Sequence, residues 1–201
     1  MIKNIVFDFG QVLIKWNPLD TAQKFVDDPD DAALLADVIF DRLYWDKLDA
    51  GTISCDEVIA AIRTRIPERL WAVSERIFSE PAYDKPEVEG MYELVKKISE
   101  YGGKRLFLLS NLSRELAAQA DRVRAVHLIE NRVFSSLCGC VKPDREIFEH
   151  LCKTYDIKPE ETLFIDDSPK NIAGAESYCI HGYLFDGDAK KLEEYIFKKL
   201  K

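Results

Sequence analysis

Short apolar runs alternate with amphipathic stretches along most of this chain, and the alternation breaks once, between residues 16 and 83. Residues 2–7 are apolar and rich in β-branched side chains, the pattern of a strand buried on both faces of a parallel sheet. Similar runs predict strands at 105–109, 133–135, 162–165 and 181–185. Helical periodicity predicts helices at 87–101, 115–123, 146–155, 169–177 and 189–199. Gly102 and Gly103 stop the first of these, because glycine adopts a left-handed cap at little cost. Strands that alternate with helices imply right-handed crossovers and a parallel sheet covered on both faces. The expectation is an α/β fold, a three-layer Rossmann-like sheet.

Residues 16–83 read differently. Asn17 caps a helix with Pro18 at its first position, in a periodic stretch that runs through Phe25. Further helices are expected at 32–40, 54–65 and 68–78. Ser54 and Glu57 form a capping box, each satisfying an open backbone donor. With no convincing strand, this segment is expected to be a small α-helical unit, residues 16–83, inserted into a core made of residues 1–15 and 84–201.

Composition narrows the class without naming the chemistry. At 201 residues, 47% hydrophobic and 32% charged, the chain has the makeup of a globular protein with one sizeable core and a smaller unit. A formal charge of −8 argues against broad nucleic-acid binding, although a local lysine and a metal ion could still attract a small anion. No apolar run approaches bilayer length, and Met1-Ile2-Lys3-Asn4 lacks a signal-peptide core. A cytoplasmic protein without membrane or nucleic-acid partners is expected, either monomer or homodimer. Five scattered cysteines read as free thiols. Cys138-Gly139-Cys140 lacks a second ligand pair for zinc, and the three histidines have no ligand spacing.

The candidate chemistry lies at the ends of the predicted strands, where a parallel sheet binds its ligands. Asp8 follows the first strand. A carboxylate there could attack phosphorus and split one hard displacement into two easier ones, or it could simply cap a turn. Ser110 and Asn111 end the second strand. Their hydroxyl, amide and backbone N–H groups could cradle phosphate oxygens or cap a helix. Lys142 precedes Pro143, which should open a helix through Asp144, and its ammonium could neutralise a transferring phosphoryl group. Asp166 and Asp167 end a later strand. Helix capping accounts for one adjacent acid but not two, whereas Mg²⁺ suits such a pair.

Taken together, Asp8-Phe9-Gly10-Gln11-Val12, Leu109-Ser110-Asn111, Lys142-Pro143-Asp144 and Ile165-Asp166-Asp167-Ser168-Pro169-Lys170-Asn171 resemble the four motifs of the haloacid dehalogenase-like hydrolases. That superfamily consists mostly of magnesium-dependent phosphatases. The resemblance spans nearly the whole chain, with residues 16–83 standing where the family carries a helical cap. Leu48-Asp49-Ala50-Gly51-Thr52-Ile53-Ser54 looks like the cap loop that dips over the active site. The resemblance implies Asp8 as nucleophile and metal ligand, the Gly10 carbonyl and Asp167 as further ligands, and Asp166 bound directly or through water. It implies Ser110, Asn111 and Lys142 on the phosphate, Mg²⁺ as cofactor, and a small phosphorylated metabolite as substrate.

One position departs from the family. Most of its phosphatases carry a second aspartate two residues after the nucleophile, to protonate the leaving oxygen and then activate water. Here Gly10 occupies that place. An acid–base group contributes about 10²–10⁴-fold, so Gly10 implies a slower enzyme, a substitute acid, or a substrate with an easy leaving group. Sugar-1-phosphates fit the last case, and motif one resembles that of bacterial sugar-1-phosphate phosphatases. Trp16, Tyr44, Trp45 and Asp49 are the candidates to face the sugar. Two rival readings are a phosphate-binding protein that lost catalysis with the second aspartate, and a true haloacid dehalogenase. The acid pair at 166–167 speaks against the second.

Overall fold

The computed structural model describes residues 1–79 and 85–200; the expected boundary at 83–84 lies outside the described residues. The elements follow in chain order. Strand β1 (Asn4–Phe7) leads into helices α1 (Pro18–Ala22), α2 (Pro29–Ile39), α3 (Arg42–Asp49), α4 (Cys55–Arg63) and α5 (Trp71–Ser79). Then come α6 (Met91–Tyr101), β2 (Arg105–Ser110), α7 (Arg114–Ala117), β3 (Asn131–Phe134), α8 (Ser135–Cys138) and α9 (Arg145–Tyr155). The chain closes with β4 (Thr162–Asp166), α10 (Pro169–Ser177), β5 (His181–Leu184) and α11 (Ala189–Leu200).

The strands form one parallel sheet in the order β3-β2-β1-β4-β5. Alternation along the central strands divides the core. Ile5, Phe7, Leu106, Leu108, Leu163 and Ile165 face α6 and α11, whereas Val6, Phe107, Leu109 and Phe164 face α9 and α10. Both faces are therefore apolar, as the continuous runs in the sequence require. The order reverses between β1 and β4, so the ends of these two strands flank the switch point. The Asp8 N–H donates to the Ile165 carbonyl at 2.9 Å, which brings the ends of β1 and β4 together.

The helices between Pro18 and Ser79 gather a separate apolar cluster around Leu35, Ile39, Val58, Ile62 and Leu70. The chain leaves and re-enters the core along one seam: the Lys15 N–H donates to the Pro86 carbonyl and the Val88 N–H to that of Leu13. That pairing explains why α6 starts at Met91 and not at residue 87. Glu87 bridges to Ile14 and binds Arg124, and Gly90 turns the chain with φ of 81°.

Three further expectations need correction. Helix α3 has no counterpart among the predicted elements. Its start is set by Asp41, whose side chain accepts from the Leu43 N–H, and its apolar face is a short one, Leu48 with the half-buried Tyr44 and Trp45 against the insertion's cluster. The single helix expected at 115–123 is instead the short α7 followed by two 3₁₀ turns, Ala120–Arg122 and Arg124–Leu128. Pro143 does not open α9. The Lys142–Pro143 peptide is cis, the Asp144 N–H closes a turn onto the Val141 carbonyl, and the helix begins at Arg145.

Candidate active site

Asp8, Ser110, Asn111, Lys142 and Asp167 line one cavity of about 640 Å³ between the sheet's carboxyl edge and the helical insertion. Gly10 lines it too, and a Cβ added there would meet nothing within 4 Å. Space is not what forbids a side chain at this position.

Lys142 is the hub. Its side chain is only 2% exposed, with Nζ 2.6 Å from Asp8 Oδ1 and 2.7 Å from Asp166 Oδ2. Burial alone would lower its pKa, but the two carboxylates outweigh burial and hold the ammonium above its usual range. The hub is itself braced. The Lys142 N–H donates to Asn111 Oδ1 at 2.8 Å, and Asn111 Nδ2 donates to the Lys142 carbonyl at 2.9 Å. The Asn111 amide is thus a clasp on the lysine's main chain, leaving one amide hydrogen and its backbone N–H for an anion.

Asp166 also faces inward. It is fully buried and accepts from Lys142 Nζ, from the Ser168 N–H at 2.8 Å, and from Asn171 Nδ2 at 3.0 Å on each oxygen. With those donors in place it orients Lys142 and ties β4 to the start of α10. Asp167 is the exposed member of the pair, and burial beside Asp166 raises its pKa.

Asp8 differs from both. Burial pushes its carboxyl up to about 6, against the pull of Lys142, while Asp166 adds to the rise. Its buried Oδ1 lies 2.6 Å from the ammonium. One carboxylate oxygen from each of Asp8, Asp166 and Asp167 lies within 4.8 Å of the other two. Three carboxylate oxygens gathered this closely, with only oxygen donors among them, are a set that fits a hard divalent cation.

The insertion supplies the opposite wall. Trp16, Phe40 and Trp45 line the cavity and pack together, with Trp16 stacked on Trp45 at 5.9 Å and edge-on to Phe40 at 5.3 Å. Asp49 lines it as well. Tyr44 is not part of the lining; its ring lies beneath the Arg65 guanidinium. The loop after α3, the segment that resembles the family's cap loop, docks on the core at Ser135 and Ser136, which the sequence reading did not single out. Ser135 Oγ donates to the Asp49 carbonyl at 2.5 Å while accepting from the Leu112 N–H at 3.0 Å. Gly51, with φ of 68°, abuts the Ser136 carbonyl so closely that a Cβ would lie 2.6 Å from that oxygen.

A profile of the haloacid dehalogenase-like hydrolases matches residues 2–178. The chain belongs to that family. It is 25% identical over 196 residues to the sesquiterpene phosphatase astK of Aspergillus oryzae, covering 95% of this chain and 94% of the relative. It is also 25% identical over 182 residues to a D-ribitol-5-phosphate phosphatase of Bacteroides thetaiotaomicron, covering 86% of each. Among solved structures, a protein of Porphyromonas gingivalis described as a predicted HAD-like family hydrolase superposes with a TM-score of 0.72 at 26% identity, over 100% of this chain and 98% of that one. The HAD family enzyme bt-2542 of Bacteroides thetaiotaomicron, in complex with magnesium and inorganic phosphate, has a TM-score of 0.70 at 22% identity, over 96% and 99% of the two chains. Those two structures share this fold.

Proposed function

We propose that this hydrolase is a magnesium-dependent phosphatase acting on a small phosphorylated metabolite through a phosphorylated Asp8. The observation that carries the reading is the state of Asp8. It is a buried carboxylate at the switch point, beside an enclosed lysine, held at a raised pKa and lining an open cavity. The two curated relatives are phosphatases, and bt-2542 was crystallised with magnesium and phosphate, which supports the same assignment.

In this reading an oxygen of Asp8 attacks phosphorus and the bond to the leaving oxygen breaks. Ser110 and the backbone N–H of Asn111 hold phosphoryl oxygens while Lys142 offsets the negative charge gathered there. Water then attacks phosphorus and releases Asp8. Asp8, the Gly10 carbonyl and Asp167 would hold Mg²⁺, with Asp166 behind them; when bound, the ion neutralises the carboxylates and polarises the phosphoryl group. Closure by the insertion keeps bulk water from the phosphorylated aspartate until the alcohol has left. The substrate we favour is a sugar-1-phosphate, whose anomeric oxygen leaves more readily than an ordinary alkoxide. The apolar wall of Trp16, Phe40 and Trp45 offers a face for the ring.

The test is phosphate release with Mg²⁺ from a panel of sugar-1-phosphates, a pentitol phosphate, a prenyl phosphate and an aryl phosphate. Turnover that disappears with chelator and with Asp8→Asn is expected. Preference for another panel member by kcat/KM would replace the sugar reading alone. Folded, Mg²⁺-binding protein that turns over none of them would leave a phosphate-binding role, with Gly10 as the reason.

A further inference from the structure

We infer that Asp49, carried by the helical insertion, is the acid–base group missing from the core at Gly10. The inference rests on the phosphatase reading and assigns the reaction's proton transfers to a residue outside the four motifs. Asp49 is the last residue of α3 and lines the same cavity as Asp8, Gly10 and Lys142. Its Oδ1 is enclosed and has no hydrogen-bond partner, an expensive arrangement for a group with only a structural role. Its main chain is pinned by Ser135 through the carbonyl, and Gly51 fits flush against Ser136, so the carboxyl is held by contacts that do not use the carboxyl itself.

The surroundings favour the acid form. Burial, chiefly, and Asp46 one turn earlier push the carboxyl up to about 7, with Asp8 across the cavity adding to the rise; Arg42 on the same helix and Lys142 pull the other way. A carboxylate at the C-terminal end of a helix is also disfavoured by the helix dipole. A group with these properties exchanges protons readily near neutral pH, as an acid–base catalyst must.

The protons balance over both steps. As Asp8 bonds to phosphorus and the P–O bond to the alcohol breaks, the departing oxygen takes the Asp49 proton and leaves as the neutral alcohol. Asp49, now a carboxylate, takes a proton from the water whose oxygen attacks phosphorus. Asp8 is expelled as a carboxylate, phosphate forms, and Asp49 regains its acid form.

The test compares Asp49→Asn with the wild-type enzyme, in Mg²⁺, on a simple alkyl phosphate and an aryl phosphate whose phenolate leaves without help. Thermal melting of both proteins confirms the fold. The expected result, read as kcat/KM because that parameter reports the step in which the alcohol leaves and not the later attack of water, is a loss of about 10²-fold or more on the alkyl ester with less than ~3-fold on the aryl ester. The alkaline fall in kcat/KM for the alkyl ester, centred near the Asp49 value, should vanish in the variant. Equal losses of kcat/KM on both esters would make Asp49 a positioning residue and overturn the inference, as would no loss on either. Asp8→Asn serves as the separate control. Wild-type enzyme inactive on the aryl ester, or Asp8→Asn still active on it, would defeat the phosphatase reading itself, and this inference with it.

Discussion

Replacing Lys142 with Met tests whether the site is an electrostatic unit in the protein without metal. The lysine side chain is 2% exposed, and its two partners, Asp8 and Asp166, are 10% and 0% exposed. Methionine retains the unbranched stem beside the Phe164 ring, where the ammonium sits 5.4 Å from the ring centre, so the loss is mainly one of charge. Removing one side of a buried ion pair costs about 3–5 kcal/mol because the partner is left buried and uncompensated. For a chain of this length each kcal/mol moves Tm by roughly 2–4 °C, so the variant should melt about 6–20 °C lower at pH 8 with chelator present. The sign with pH follows from Asp8, whose folded value is already raised to about 6 and would rise further without the lysine's pull. A carboxyl with a raised folded pKa keeps its proton in the folded state after the unfolded chain has released it. Stability therefore falls as pH climbs from about 4 through the folded value. The deficit of Lys142→Met should be smallest near pH 4–5 and largest at pH 8. Mg²⁺ at a hundredfold excess over its Kd should restore about 2.7 kcal/mol. Scanning calorimetry across pH, with and without Mg²⁺, reads all three effects. A deficit below about 1 kcal/mol at pH 8, or one that does not shrink on acidification, would show that the carboxylates do not depend on the lysine.

Two further perturbations probe the bracing of the site. Asn111→Ala removes both hydrogen bonds that clasp the Lys142 peptide; denaturant titration should show a loss of about 1–3 kcal/mol, and steady-state kinetics should show kcat falling by more than KM rises. Gly51→Ala meets a backbone oxygen at 2.6 Å and a φ of 68°, so it should cost more than Gly139→Ala, which has a similar left-handed φ of 71° and nothing within 4 Å and should cost only about 1–2 kcal/mol. Thermal melts of the pair isolate the docking contact, and kcat/KM should fall for the Gly51 variant alone.

Legibility in the sequence followed from whether local residues or tertiary contacts decide an outcome. The strands of the sheet centre were legible because burial on both faces demands runs such as Ile5-Val6-Phe7 and Leu163-Phe164-Ile165. Helix starts set by a side chain were legible too: Asn17 accepts from the Leu19 N–H, and the capping box at Ser54 is present. The helix expected at 115–123 is absent because Ala120, Val123, Val126 and Ile129, all buried, recur every third position, the repeat of a 3₁₀ turn. Arg132 then holds that path by donating to the Val126 and Ile129 carbonyls from the start of β3. Helix α3 was invisible because its neighbours decide it: Trp45 packs on Trp16 and Phe40, and Asp49 on Ser135.

The same division runs through the site. Position at the strand ends named Asp8, Ser110, Asn111, Asp166 and Asp167, since each follows an apolar run and the topology gathers such ends at one edge; Lys142, in the loop after α8, was marked by its place before Pro143-Asp144 and by the family resemblance. What position could not assign was the direction in which each side chain spends its hydrogen bonds. Asp166 faces the lysine and not the cavity, and Asn111 lines the cavity while spending two amide hydrogen bonds on the Lys142 peptide, which turns an apparent cluster of six ligands into a smaller reactive surface with a rigid backing. The backing has a cost: two buried acids share one ammonium, and burial together with Asp166 leaves Asp8 with a raised pKa, a tension that a divalent cation relieves and that makes cation binding and the pH dependence of stability two readings of one charge balance. Gly10 sharpens the point. With no contact within 4 Å of an added Cβ, the core has room for a second carboxylate there. Placing one would put a further like charge beside Asp8, whereas the Asp49 carboxyl lines the cavity from the insertion's wall. In the proposed reaction this separation of nucleophile and proton donor ties proton transfer to the docking of Asp49–Gly51 on Ser135–Ser136, so a weakened dock should slow alkyl esters more than aryl ones.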